Sequence, residues 1–145
     1  WIGPLLAEAG ILGISNLLLF GYHGKLLKLA GGIFHTHHHL ADGRLEILVA
    51  AAVRVGLSGT LLTDIFSCET AEDVLKYLRS LERRDNCDWT QRIYDYITEH
   101  IATRSQTYIY SQTQQQIDVG AVVFDRQRQV IATSKLGRTF LTQLC

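Results

Sequence analysis

The chain has 145 residues, 47% of them hydrophobic and 19% charged, a balance that suits one compact domain with its own core and excludes a disordered tail. Fourteen basic side chains offset fourteen acidic ones, so no global positive field favours DNA or RNA. No run of about 18 uncharged apolar residues occurs, which argues against a membrane-spanning helix. "WIGPLLAEAGIL" predicts a helix from about Pro4 to Leu12, with the only proline in its first turn and Gly13 as its stop. "NLLLF" (Asn16 to Phe20) predicts a buried strand, "GYHGK" a tight glycine loop, and "LLKLAGG" a short helix ending at Gly31 and Gly32. Beyond the histidine stretch, "GRLEILVAAAVRVG" reads as a helix apolar nearly all round, and such helices are normally buried.

In "TAEDVLKYLRSLERR", Thr70 and Asp73 stand in a capping-box relation, Val74, Leu78 and Leu81 form a core stripe, and Glu72 and Lys76 make an i,i+4 pair. "DWTQRIYDYITEHIATRS" repeats the plan, with Asp88 as N-cap, Gln91 at the box position, and Trp89, Ile93, Ile97 and Ile101 inward. "SQTQQQ" reads as a polar loop. "IDVGAVVFD" and "QVIATS" read as strands joined by a turn through Arg126 and Gln127, and "KLGRTFLTQL" as a last amphipathic turn or two. Together these predict a layered α/β domain with a small, partly parallel sheet flanked by helices, with α+β as the alternative because helices outnumber strands. The three cysteines, Cys68, Cys87 and Cys145, lie far apart without a CxxC pair, which is neither a disulfide framework nor a thiolate zinc site. A reducing cytoplasm is the expected compartment, and the opening residues lack the pattern of a signal peptide. The chain contains no methionine, even at position 1, and reads as a piece of a longer protein.

The chemistry-bearing residues are concentrated early. No acidic residue lies between Glu8 and Asp42, while Lys25, Lys28 and five histidines fall inside that window. Backbone N–H groups of the glycine loop around Gly21, His23 and Gly24 could face an anion, with Lys25 adding charge. The spacing is not that of a P-loop, since Leu26 stands where the metal-binding hydroxyl belongs. If "HTHHH" is extended, His35, His37 and His39 share one face, with His38 on the other. His35 and His39 would then lie about 13 Å apart, too far to grip one ion. A dedicated metal site is therefore disfavoured, and a cationic or hydrogen-bonding surface is preferred. Asp42 is placed to cap the following helix. Glu46, a carboxylate in an apolar helix, is expected to pair with Arg44, Lys25 or Lys28 or to sit in a site.

The run "FGYHGKLLKLAGGIFHTHHHLADGRLEILVAAA" resembles the CbiD family, the cobalt-precorrin-5B C1-methyltransferases. The matching features are a Gly-x-x-Gly-Lys loop, Lys-Leu-Ala-x-Gly-Ile-Phe, Thr-His-x-His and Ala-Asp-x-Arg-x-Glu-Ile-Leu, in that order. A looser likeness to the family's C-terminal half covers all 145 residues, which implies that an N-terminal half is missing. The resemblance implies transfer of the methyl group of S-adenosylmethionine to C1 of cobalt-precorrin-5B, giving cobalt-precorrin-6A, with cobalt present only in the substrate. It implies substrate contacts from Lys25, Lys28, His35, His37, His39, Arg44 and Glu46, proton handling by His23 and Asp42, and methyl-donor contacts at Gly21 and Gly24. Which half binds the donor and the oligomeric state stay open. A metal-dependent hydrolase using the histidines and a non-catalytic α/β binding module are the alternatives.

Overall fold

The computed structural model describes residues 1–36 and 42–144. Among them, seven helices enclose one three-stranded mixed sheet, the layered α/β arrangement expected. Helix α1 (Ile2–Ile11) carries Pro4 in its first turn and ends where Gly13 takes a left-handed φ of +70°. Strand β1 (Asn16–Tyr22) passes directly into α2 (His23–Ala30), so the expected glycine loop does not exist. Gly24 makes this junction possible: a Cβ there would stand 2.6 Å from the Tyr22 ring, which folds back over the first helical turn.

Helices α3 (Arg44–Arg54) and α4 (Thr60–Phe66) follow, the second not foreseen from sequence. Helix α3 is only half-buried: Leu48, Ala51 and Ala52 face the core while Val53 is exposed. Its apolar run is wider than the stripe its neighbours cover. Helix α5 (Ala71–Asp85) has the expected capping box, with Thr70 Oγ1 accepting from the Asp73 N–H at 3.1 Å and the Asp73 carboxylate accepting from the Thr70 N–H at 3.1 Å. Helix α6 (Trp89–Thr113) begins after Asp88, but Asp88 makes no side-chain cap. Instead the Glu82 carboxylate accepts from the Thr90 N–H at 2.7 Å, and Gln91 turns to Asp95. Its 25 residues absorb the start of the expected polar loop.

Strand β2 (Asp118–Phe124) pairs in parallel with β1 from Asn16↔Asp118 to Tyr22↔Phe124, and antiparallel with β3 (Val130–Thr133). The order β1-β2-β3 puts β2 in the centre, buried from Val119 to Val123. Strand β1 is therefore an edge and not the buried strand expected; Phe20 is 59% exposed. An apolar run alone does not distinguish a central strand from an edge that waits for cover.

The main core lies on the face carrying Val119, Ala121 and Val123. There α6 presents Ile93, Ile97, Ile101 and Ile109, and α2 and α5 supply Leu27, Leu29, Val74, Leu75 and Leu78. Each such side chain contributes roughly 1.5–3 kcal/mol by leaving water. Helix α7 (Lys135–Leu144) covers the opposite face and is longer than the turn or two expected. Ser134 Oγ ties it to the sheet, accepting from the Ala121 N–H at 2.9 Å and the Gly137 N–H at 3.1 Å. Gly120 and Gly137 touch backbone to backbone, since a Cβ on Gly120 would lie 2.6 Å from the Gly137 nitrogen. Among the described residues no helix is long and apolar enough to cross a membrane.

Candidate functional site

The parallel strands β1 and β2 end side by side at Tyr22 and Phe124, and the residues that follow them converge. His23 opens α2, Asp125 and Arg126 follow β2, the first turn of α5 brings Glu72, and α6 brings Tyr94. His23, Glu72 and Tyr94 are buried, at 1%, 3% and 0% exposure. His23 Nε2 lies 2.8 Å from Glu72 Oε2, Tyr94 Oη lies 2.9 Å from His23 Nδ1, and Tyr22 Oη donates to the same Glu72 oxygen at 3.1 Å.

A carboxylate only accepts, so Nε2 carries a proton. The His23 pKa is lowered, burial outweighing the opposing pull of Glu72, which favours the neutral ring. In that form Nδ1 accepts from the Tyr94 hydroxyl. Burial also pushes the Tyr94 phenol up, with the Glu72 charge adding to it. The Tyr22 phenol is raised by burial and by Glu72, against the nearby Arg126 guanidinium, which favours its ionised form. Tyr22 is the half-buried member, through which this closed chain of hydrogen bonds meets the surface.

Charged groups surround it. Arg79 Nη2 donates to Asp125 Oδ2 at 3.0 Å, and Asp125 Oδ1 accepts from the N–H groups of Gln127 and Gln129, each at 2.9 Å. Burial raises the Asp125 carboxyl, but the Gln129 N–H and Arg79 together hold it below its ordinary range. Glu72 thus belongs to His23 and not to Lys76, as the i,i+4 spacing had suggested.

The residues singled out in the sequence fall into separate settings. Lys25 is exposed on α2. Lys28 is 1% exposed, and its Nζ donates to the Thr36 carbonyl at 3.5 Å. His35 is exposed and lines a groove of about 270 Å³ with Phe34, Arg104 and Tyr108, the two aromatic rings stacked at 4.2 Å. Asp42, Arg44 and Glu46 line a different groove, of about 150 Å³, with Glu69. Gly43 at φ +65° holds the N-cap place of α3, and Asp42, one residue earlier, accepts from the Arg44 N–H at the helix start at 3.4 Å. Its carboxylate also clamps the Arg44 side chain, accepting from Nε at 2.6 Å and Nη2 at 3.0 Å, which lowers its pKa to about 2. Glu46 is exposed and lines that groove. Gly21 and Gly24 both have packing reasons, against Leu26 and the Tyr22 ring. His37 and His39, with His38, lie outside the described residues. Among the described residues no three His, Cys, Asp or Glu side chains form a metal-binding group.

Sequence reasoning missed Tyr22, Glu72, Arg79, Tyr94, Asp125 and Arg126. One clue was available: Glu72 and Arg79 sit three residues before and four after Leu75, on a face otherwise apolar.

The family model described as CbiD, C-terminal domain matches residues 35–135. The chain belongs to that family. The match takes in Glu72, Arg79, Tyr94 and Asp125, and Tyr22 and His23 stand just before it. Among curated relatives, proteins named cobalt-precorrin-5B C(1)-methyltransferase are similar along the whole chain. That of Synechocystis sp. is 46% identical over 144 residues, 99% of this chain and 38% of the relative. That of Cyanothece sp. is 47% identical over 144 residues, with the same shares. That of Trichormus variabilis is 45% identical over 148 residues, all of this chain and 40% of the relative. The chain thus spans well under half the length of these relatives. No solved structure matches it.

Proposed function

We propose that the chain serves in S-adenosylmethionine-dependent methylation of cobalt-precorrin-5B at C1 to give cobalt-precorrin-6A, in the cytoplasm, as part of a longer protein whose N-terminal half is its partner. The observation that carries this reading is the 46% identity, over 99% of the chain, to a relative bearing that enzyme name. It favours the methyltransferase over the metal-dependent hydrolase and the binding module. Free thiols at Cys68 and Cys87 suit that compartment.

None of the grooves described here joins the volume a methyl donor fills to a polar lining. A nucleoside-sized ligand fills at least about 300 Å³ and needs several polar partners. The polar groove at Asp42 offers about 150 Å³, and the groove of about 380 Å³ between α1 and β1 has Glu8 as its one charged wall residue. For the tetrapyrrole, whose edge carries carboxylates, the exposed Lys25, Arg126 and His35 and the half-buried Arg44 offer charge-assisted hydrogen bonds, joined by His37 and His39. Lys28 holds the Thr36 carbonyl, and Glu46 would meet a macrocycle N–H.

Methylation breaks the sulfur–methyl bond, leaves its electron pair on sulfur and forms a carbon–methyl bond, so the macrocycle must release a proton. Asp42, held near 2 by Arg44, is a weak base at neutral pH. In the His23 cluster the open acceptor is the Glu72 carboxylate, which takes up the proton through the Tyr22 hydroxyl, while His23 Nε2, already protonated, steadies it by donation.

The test is incubation of the full-length protein with cobalt-precorrin-5B and methyl-labelled donor. Label on the macrocycle supports the reading, and an unlabelled macrocycle overturns it. In the same assay Tyr22→Phe should lower kcat about 100-fold, the scale of a lost proton relay, at unchanged KM. An unaltered kcat removes Tyr22 from the relay.

A further inference from the structure

Strand β1 is an outer strand of the sheet among the described residues, yet both of its faces are furnished for a neighbour. On one face Leu17 and Leu19 line the groove of about 380 Å³ whose far wall is α1. On the other, Asn16 and Leu18 line a groove of about 200 Å³ with Phe140 and Leu144 of α7. Large apolar side chains are left bare around this edge: Leu5 is 67% exposed, Leu12 68%, Phe20 59% and Leu144 76%. A flat apolar edge of this kind is normally blunted by charge or covered. β1 has no charged residue from Asn16 to Tyr22.

We propose that an extended apolar segment from the family's N-terminal portion pairs with the open edge of β1 and lies between α1 and α7, making the sheet four-stranded. A strand is the element that fits. Its side chains alternate between two faces, so it fills the α1 groove and the α7 groove at once, whereas a helix would fill one. The occupant follows from length. The match covers 38% of the Synechocystis relative, and the matched model is the family's C-terminal domain, so members carry a large second portion that must be joined to this one. A second copy of the chain is the other candidate, but it leaves that larger portion without a surface here. The inference rests on family membership and not on the methylation reading.

The test is residue-resolved amide exchange with distance restraints on the full-length protein at a concentration where it is monomeric. In an edge strand every other amide exchanges freely, whereas in an interior strand all are held. Every amide from Leu17 to Phe20 is expected to exchange at least about 100-fold more slowly than an unstructured amide, with cross-strand restraints to residues outside the present 145. Alternating fast and slow amides would overturn the proposal. So would protection that comes only with dimerisation and pairs β1 with β1. As a second readout, Leu5→Asp and Leu144→Asp should each lower the unfolding midpoint of the full-length protein, and unchanged midpoints count against it.

Discussion

The two stretches of β1 lie in opposite surroundings. At its C-terminal end, Tyr22 and the adjoining His23 enter a buried polar cluster in which each ring nitrogen and the carboxylate oxygen Oε2 has a partner. From Leu17 to Phe20, the same strand offers apolar side chains and an open edge. The polar end is complete in itself, because hydrogen bonds within the cluster offset the cost of taking Glu72 and His23 out of water. The apolar edge is complete only with something laid against it. One strand thus serves a self-sufficient site at one end and an unfinished surface along its side.

The comparison breaks most sharply at Glu72. Glu72→Ala orphans the His23 N–H, at about 1–3 kcal/mol for a donor left unmet in the interior, while the half-buried Tyr22 hydroxyl can turn to water. Urea unfolding should show a midpoint lowered accordingly at unchanged slope, and Glu72→Gln, which keeps an acceptor, should recover part of the loss. On the opposite side, Gly120→Ala drives a methyl into the Gly137 backbone and should cost about 1–3 kcal/mol by overpacking, read in the same experiment. Thr70→Ala removes one half of the α5 capping box beside Glu72, an expected loss of about 1 kcal/mol.

Proton linkage sharpens the contrast further. The folded pKa of His23 is depressed, so the unfolded chain binds a proton that the folded chain refuses. Stability should be fully present above about pH 6.5, the ordinary histidine value, and should fall as pH drops from there toward the folded value. In His23→Gln that slope should vanish. A second decline belongs to Asp42, Asp73, Asp85 and Asp125, whose lowered pKa values put it below their ordinary value of 3.8. Asp42→Asn should change stability by less than about 1 kcal/mol, because the Arg44 clamp is largely exposed and screened by water.

What the sequence made legible were features written within a few residues. The Thr70–Asp73 box, the Ile93, Ile97 and Ile101 stripe, the turn at Arg126 and Gln127, and the stop at Gly13 are all local. Of the candidate site, the sequence singled out only His23. Its partners Glu72 and Tyr94 lie 49 and 71 residues away, and nothing short of the fold brings them to one imidazole. Glu72 misled because an i,i+4 lysine is the usual company of a helical glutamate, and only the packing of α5 turns that carboxylate inward. "NLLLF" misled in a related way, since an apolar strand looks the same whether its cover comes from its own domain or from elsewhere.

The backbone contact between Gly120 and Gly137 has a consequence for the unfinished side. Two absent methyl groups set how closely α7 hugs the central strand, and so fix the gap between its Phe140–Leu144 flank and β1. Any bulkier residue at either position would lift the helix and widen that gap. The gauge for whatever slides in beside β1 is therefore cut into the neighbouring strand, at a place the newcomer need never touch.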